Sequence, residues 1–179
     1  MDSDDANEGK KTKASKVVAG DKFDTANVRR VKEALLKGGL EVEITAMEES
    51  ARTAQMAADA IDCQVAQIVK SLVFKAHGQE LAVLALVSGA NRLDEQLVEE
   101  QLGFKLEKAN AAFVREMTGF AIGGVAPVGH LKASQTIIDQ DLLLFPTVWA
   151  AAGHPNTVFP LTPAQLIKLS GGKVMVVHS

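Results

Sequence analysis

The stretch Ala66–Gly89, AQIVKSLVFKAHGQELAVLALVSG, contains two runs of β-forming residues separated by HGQE, and its reading decides the architecture. A short polar insert with glycine between two such runs is the mark of a β-hairpin. The second run is apolar at successive positions, so both its faces are covered and it belongs in the middle of a sheet. The first run alternates: Ile68, Lys70, Leu72 and Phe74 share one face, and Val69, Ser71, Val73 and Lys75 the other. The core is therefore expected around Leu72, Phe74, Val83, Leu84, Ala85 and Leu86. Lys70 stands out. An ammonium group on a half-buried face is costly unless it is paired or reaches water, so Lys70 either snorkels from a strand end or meets an anion.

Upstream, DTANVRRVKEALLKGG sets Val28, Val31, Leu35 and Leu36 on one helical stripe, with Asp24 or Thr25 as cap and Gly38-Gly39 as stop. LEVEIT, residues 40–45, alternates as a short strand, and SARTAQMAADAID reads as a second helix starting near Ser50 or Thr53. Downstream, NRLDEQLVEEQLG is a helix capped near Asp94, and NAAFVREMTG is another, capped by Asn110 and stopped by Gly119. SQTIID, TVWAAAG, NTVFPL and KVMVV read as strands, and TPAQLIKLS as a helix with Pro163 in its first turn. Helices and strands mix without a regular βαβ rhythm, which makes the chain α/β. The first sixteen residues carry four acids followed by four lysines and no apolar cluster, so residues 1–20 are expected to be a disordered tail and residues 21–179 the folded domain.

At 179 residues the chain can build one good core and is short for two. No apolar run approaches the roughly 18 residues that span a bilayer, and the start lacks the apolar centre of a secretory signal. Cys63 is the single cysteine and cannot form an internal disulfide. A cytoplasmic location with no membrane contact is expected. A net charge of −3 gives no global attraction to phosphate, so any nucleic-acid contact is local or confined to an end of the polymer.

Chemistry is expected at FAIGGVAPVGH, Phe120–His130. Gly123 and Gly124 open the backbone while Pro127 restricts it, which makes either a plain turn or a loop whose bare backbone touches a ligand. AGHPNTVF, with Gly153 and His154, is a second polar loop among apolar strands that could line the same pocket or be an ordinary turn. Cys63 has no C-x-x-C partner and no nearby histidine, so thiol catalysis is rejected. His77, His130, His154 and His178 are scattered in sequence, and no metal or other cofactor is expected. Arg92 and Asp94 read as a solvated arginine and a helix cap.

In order, IVKSLVFK, LVSGANRLD, TGFAIGGVAPVGH, IIDQDLL and AAGHPNTVFPLTPAQLIKLS resemble the YbaK/EbsC family, which is related to the editing domain inserted in bacterial prolyl-tRNA synthetases. The resemblance runs from about Arg52 to Val177. It implies an α/β fold with a mixed, curved, barrel-like β-sheet flanked by helices, and a free-standing aminoacyl-tRNA deacylase that clears a small amino acid from mischarged tRNA. Lys70 matches the family's functional lysine, and Gly123–Pro127 its G-x-x-x-P loop, with Ala126 where many members carry a hydroxyl residue. On this reading Lys70, Gly123 and Gly124 are catalytic, and Val125, Ala126, Pro127, His130, Gly153 and His154 bind substrate. The expected partners are the aminoacylated 3′ end of tRNA and an aminoacyl-tRNA synthetase. Two other readings stay open: a catalytically silent module that binds a synthetase or an aminoacyl-nucleotide, and a hydrolase of small esters or amides that needs no tRNA.

Overall fold

The computed structural model describes residues 14–48 and 53–179. In chain order the strands are β1 (Ala14–Lys16), β2 (Thr45–Met47), β3 (Val69–Ala76), β4 (Ala82–Ser88), β5 (Leu106–Lys108), β6 (Ser134–Asp139), β7 (Val148–Ala151), β8 (Thr157–Leu161) and β9 (Lys173–Met175). The helices are α1 (Ala26–Lys37), α2 (Ala54–Ile61), α3 (Glu95–Leu102), α4 (Ala111–Thr118) and α5 (Pro163–Ser170). The hairpin read from Ala66–Gly89 is present, with Lys70 opposite Val87 and Leu72 opposite Ala85 in antiparallel register.

β4 is central, antiparallel to β3 and parallel to β6, in a mixed five-stranded sheet of order β5-β3-β4-β6-β9. Every residue of β4 is buried, and its period of two divides them between two cores. Leu84 and Leu86 join Val28, Val31 and Leu35 of α1, Leu166 of α5 and Phe120. Val83, Ala85 and Val87 join Phe74, Val98 of α3 and Val177. Burying each of these large aliphatic side chains contributes about 1.5–3 kcal/mol, which is why a two-faced apolar strand sits in the centre. Leu72, expected in the core, is only partly buried.

The barrel-like sheet expected from the resemblance is not found: the described strands form two sheets, the second ordered β1-β2-β8-β7 and antiparallel throughout. The two meet where Ile68 forms a single parallel bridge with Trp149, so β3 lies beside β7 without a continuous ladder. The boundary expected at residue 21 also moves. Ala14–Lys16 pair with β2, and Val17 is buried and donates its N–H to the Ile44 carbonyl at 2.8 Å. Residues 1–13 lie outside the described residues. The strand read at 40–45 begins only at Thr45. β1 and β5 had no readable pattern, because each is only three residues long, too short for alternation to show.

Helix ends follow the local code. Thr25, Thr53, Asp94, Asn110 and Thr162 each accept a hydrogen bond from the backbone N–H three residues on, and Thr162 completes a capping box with Gln165 ahead of Pro163. Ser50, the other start considered for α2, lies outside the described residues.

Candidate active site

β3 carries Lys70, Ser71 and Leu72 to the wall of a cavity of about 350 Å³, and the glycine loop brings Ile122, Gly123 and Val125 to the same space. Ala54 and Ala57 of α2, Trp149 of β7 and Pro155 also line it. A smaller apolar cleft of about 250 Å³ shares Ser71, Leu72, Ile122 and Val125 with it. The Ser71 hydroxyl lies between them, buried and without a hydrogen-bond partner among the described residues. Alternation along β3 marked Ser71 only as a residue of the other face, so its position was not anticipated.

The Lys70 ammonium donates to the backbone carbonyl of Asn91. Burial lowers its pKa, and the charge of Asp139 works in the opposite direction. One of its three N–H bonds is thus committed, leaving donors for an anion or a hydroxyl.

The glycine loop is stiff. Gly124 donates its N–H to the Ala121 carbonyl at 2.9 Å, closing a turn in which Gly123 has φ 90°. That angle is strained for any residue with a Cβ. Below the loop, Phe120 is fully buried, with the Arg30 guanidinium 4.5 Å from its ring centre. Arg30 also donates to the carbonyls of Gly129, at 2.8 Å, and Thr118, at 3.3 Å, so α1 braces both ends of the loop.

The other residues expected at the site fall in different places. Ala126 is fully buried, and its carbonyl accepts from His130 Nε2 at 2.5 Å. The His130 ring packs edge-on to Phe120, and burial lowers its pKa. His130 and Pro127 face a separate depression of about 470 Å³ behind the loop, together with Lys132 and Lys168. Gly153 packs against the Asn27 backbone of α1. His154 packs edge-on to Phe23 and accepts from the Asn156 N–H at 3.0 Å. From that second loop it is Pro155, not His154, that reaches the Lys70 cavity. The loops nonetheless touch: a Cβ on Gly124 would lie 2.9 Å from the His154 carbonyl carbon.

A polar corner invisible in the sequence lies behind Lys70. Asn91 Nδ2 donates to Asp139 and Asp141, at 2.8 Å each, and His178 Nε2 donates to Asp141 at 2.8 Å. The side-chain atoms of Asp139, Asp141 and His178 lie within 4.8 Å of one another, with the Asn91 amide nitrogen between the two carboxylates. Cys63 is half-buried, and desolvation pushes its thiol up to about 11, so little thiolate exists near neutrality.

A lysine held by a carbonyl thus borders, beside a braced glycine loop, a cavity whose other lining residues are mostly apolar. The chain belongs to the aminoacyl-tRNA editing domain family, which it matches over residues 48–169. It is 44% identical, with TM-score 0.81, to a solved structure described as a candidate trans-editing enzyme for prolyl tRNA synthetase, covering 87% of this chain and 98% of that one. It is 33% identical over 136 residues to YwhH of Bacillus subtilis (strain 168), 76% of this chain and 86% of that protein. It is 23% identical over 129 residues to EbsC of Enterococcus faecalis (strain ATCC 700802 / V583), described as a candidate Cys-tRNA(Pro)/Cys-tRNA(Cys) deacylase, 72% of this chain and 78% of that one. Among the described residues no helix is long and apolar enough to cross a membrane.

Proposed function

We propose that this protein hydrolyses, in trans and in the cytoplasm, the ester that joins a small wrongly attached amino acid to the 3′ end of tRNA. Alanine, serine, threonine and cysteine are the candidate groups. The observation that carries the reading is the convergence of Lys70 with Gly123 and Val125 of the glycine loop on one cavity, which Gly124 does not line. Lys70 holds the phosphate or ribose of the terminal nucleotide with its remaining donors. The Gly124 N–H is committed to Ala121, and the oxyanion donors are assigned to the loop residues that line the cavity, Gly123 and Val125. One such donor is worth about 2.7–4 kcal/mol in the transition state.

With the Cys63 thiol protonated, the nucleophile is water. Its oxygen bonds to the ester carbonyl carbon and yields a tetrahedral oxyanion. Collapse breaks the bond to the tRNA ribose oxygen, which leaves with the proton given up by the attacking water. The products are the free amino acid and uncharged tRNA. Ala54 and Ala57 present short side chains to the pocket while Trp149 and Pro155 take up space in it, which suits a small substrate. Residues 21–179 constitute the editing unit, together with the β1 strand that precedes them. A charging synthetase is its natural partner, because it supplies the mischarged product.

The test is a panel of tRNAs charged with different amino acids, followed by release of free amino acid. Hydrolysis of at least one small aminoacyl-tRNA is expected. Release no faster than in buffer for every member refutes the reading. If an aminoacyl-adenosine analogue still perturbs the NMR signals of Val125 and Ile122 in that case, the protein is a silent binding module instead.

A further inference from the structure

We infer that Asp139 and Asn91 are positioning residues for Lys70: the buried carboxylate fixes the Asn91 turn, and the carbonyl of that turn holds the ammonium against the cavity. The inference rests on the proposed function only for its catalytic consequence.

Asp139 ends β6 and is fully buried. A buried carboxylate is tolerable only when donors replace the lost water. Here they are the Ser88 N–H at 3.0 Å and Asn91 Nδ2 at 2.8 Å on one oxygen, and the Asp141 N–H at 3.0 Å on the other. All three are neutral donors, so they solvate the charge without cancelling it. Among the described residues no lysine or arginine forms an ion pair with Asp139. Its negative charge therefore acts on Lys70, the opposite charge across this corner.

Asn91 supplies the mechanical link. Its N–H bonds the Ser88 carbonyl at 2.9 Å, its side chain spans Asp139 and Asp141, and its carbonyl receives Lys70. The other ionisable groups at this corner are Asp141, from the turn after β6, and His178, from the C-terminal segment, which pair with each other. Among the described residues that line the cavity, Lys70 is the one ionisable side chain. Among the described residues Asp139 is thus the carboxylate placed to keep the ammonium charged, and through Asn91 to keep it aimed.

Protein labelled with ¹³C and ¹⁵N lysine allows the Lys70 signal, assigned by its loss in Lys70→Ala, to be titrated without substrate. Asp139→Asn keeps the shape and removes the charge, so the Lys70 midpoint should fall by about half a pH unit or more. Asn91→Ala should shift the same signal, and it decides the question by itself if Asp139→Asn does not fold. In deacylation, Asp139→Asn should lower kcat/KM about tenfold in the wild-type background and less than about twofold in Lys70→Ala, since a residue acting through Lys70 has nothing left to act on. An unchanged Lys70 midpoint, or an equal loss in both backgrounds, overturns the inference. Absence of deacylation by the wild type would overturn the proposed function instead, and the NMR titration would still decide this one.

Discussion

Gly124→Ala places one methyl group against the backbone of the neighbouring loop, with contacts of 2.9 Å to the His154 carbonyl carbon, 3.0 Å to its Cα and 3.0 Å to the Pro155 nitrogen. Ordinary van der Waals contact begins near 3.4 Å. The neighbours are backbone atoms that cannot rotate away, so the two loops must part by about half an ångström. Overpacking of this kind costs about 1–3 kcal/mol, against a total stability of about 5–15 kcal/mol, and the variant stays folded at room temperature. The parted loops carry Gly123 and Pro155, which lie side by side in the cavity wall. A displacement of about 1 Å in a reacting geometry can cost on the order of a hundredfold, so about tenfold or more is expected in kcat/KM for half that distance. The assay pairs urea unfolding with deacylation of the best substrate from the tRNA panel. A variant destabilised within the stated range that deacylates at the wild-type rate would refute the coupling of the two loops. A rate loss that only tracks the unfolded fraction would do the same.

Lys70→Ala should lower deacylation by about tenfold or more, about 1.4 kcal/mol of transition-state stabilisation, with circular dichroism unchanged; wild-type turnover would remove the lysine from the mechanism. Starting the chain at residue 20 removes β1 and Val17, which is 7% exposed, so the urea midpoint should drop by the equivalent of about 1.5–3 kcal/mol; an unchanged midpoint would mean that the strand contributes nothing. Hydrogen bonding from Asn91 and then His178 lowers the pKa of Asp141, and the bond to Asp141 raises that of His178. The stabilisation from the pair is therefore lost as pH falls through the depressed carboxyl value and as pH rises through the elevated imidazole value. Urea midpoints at about pH 6 and about pH 8.5 should differ less in His178→Gln than in the wild type, and equal slopes would show that the pair is not coupled to folding.

Much of this protein was legible in its sequence because the determinants are local. A cap is set by a side chain and an N–H three residues away, and the caps at Asp94 and Asn110 fall where they were read. A strand's period shows which residues share a face, so the burial of Val83, Leu84, Ala85 and Leu86 and the unusual place of Lys70 could be read before any coordinates. The glycine loop announced itself through residues that only a constrained backbone needs. Tertiary structure decided everything that depends on elements far apart in the chain. Nothing in AGHPNTVF says that Pro155 reaches the cavity while Gly153 and His154 turn toward α1 and Phe23. Scattered histidines gave no sign that His178 would meet Asp141, 37 positions earlier, or that Asn91 would hold Asp139 across 48. The division into two sheets joined by one bridge was equally hidden, because strand alternation encodes which face is buried and not which edge a strand pairs with. Side-chain chemistry and short-range periodicity act within a few residues, whereas the meeting of distant groups is set by how the whole core packs.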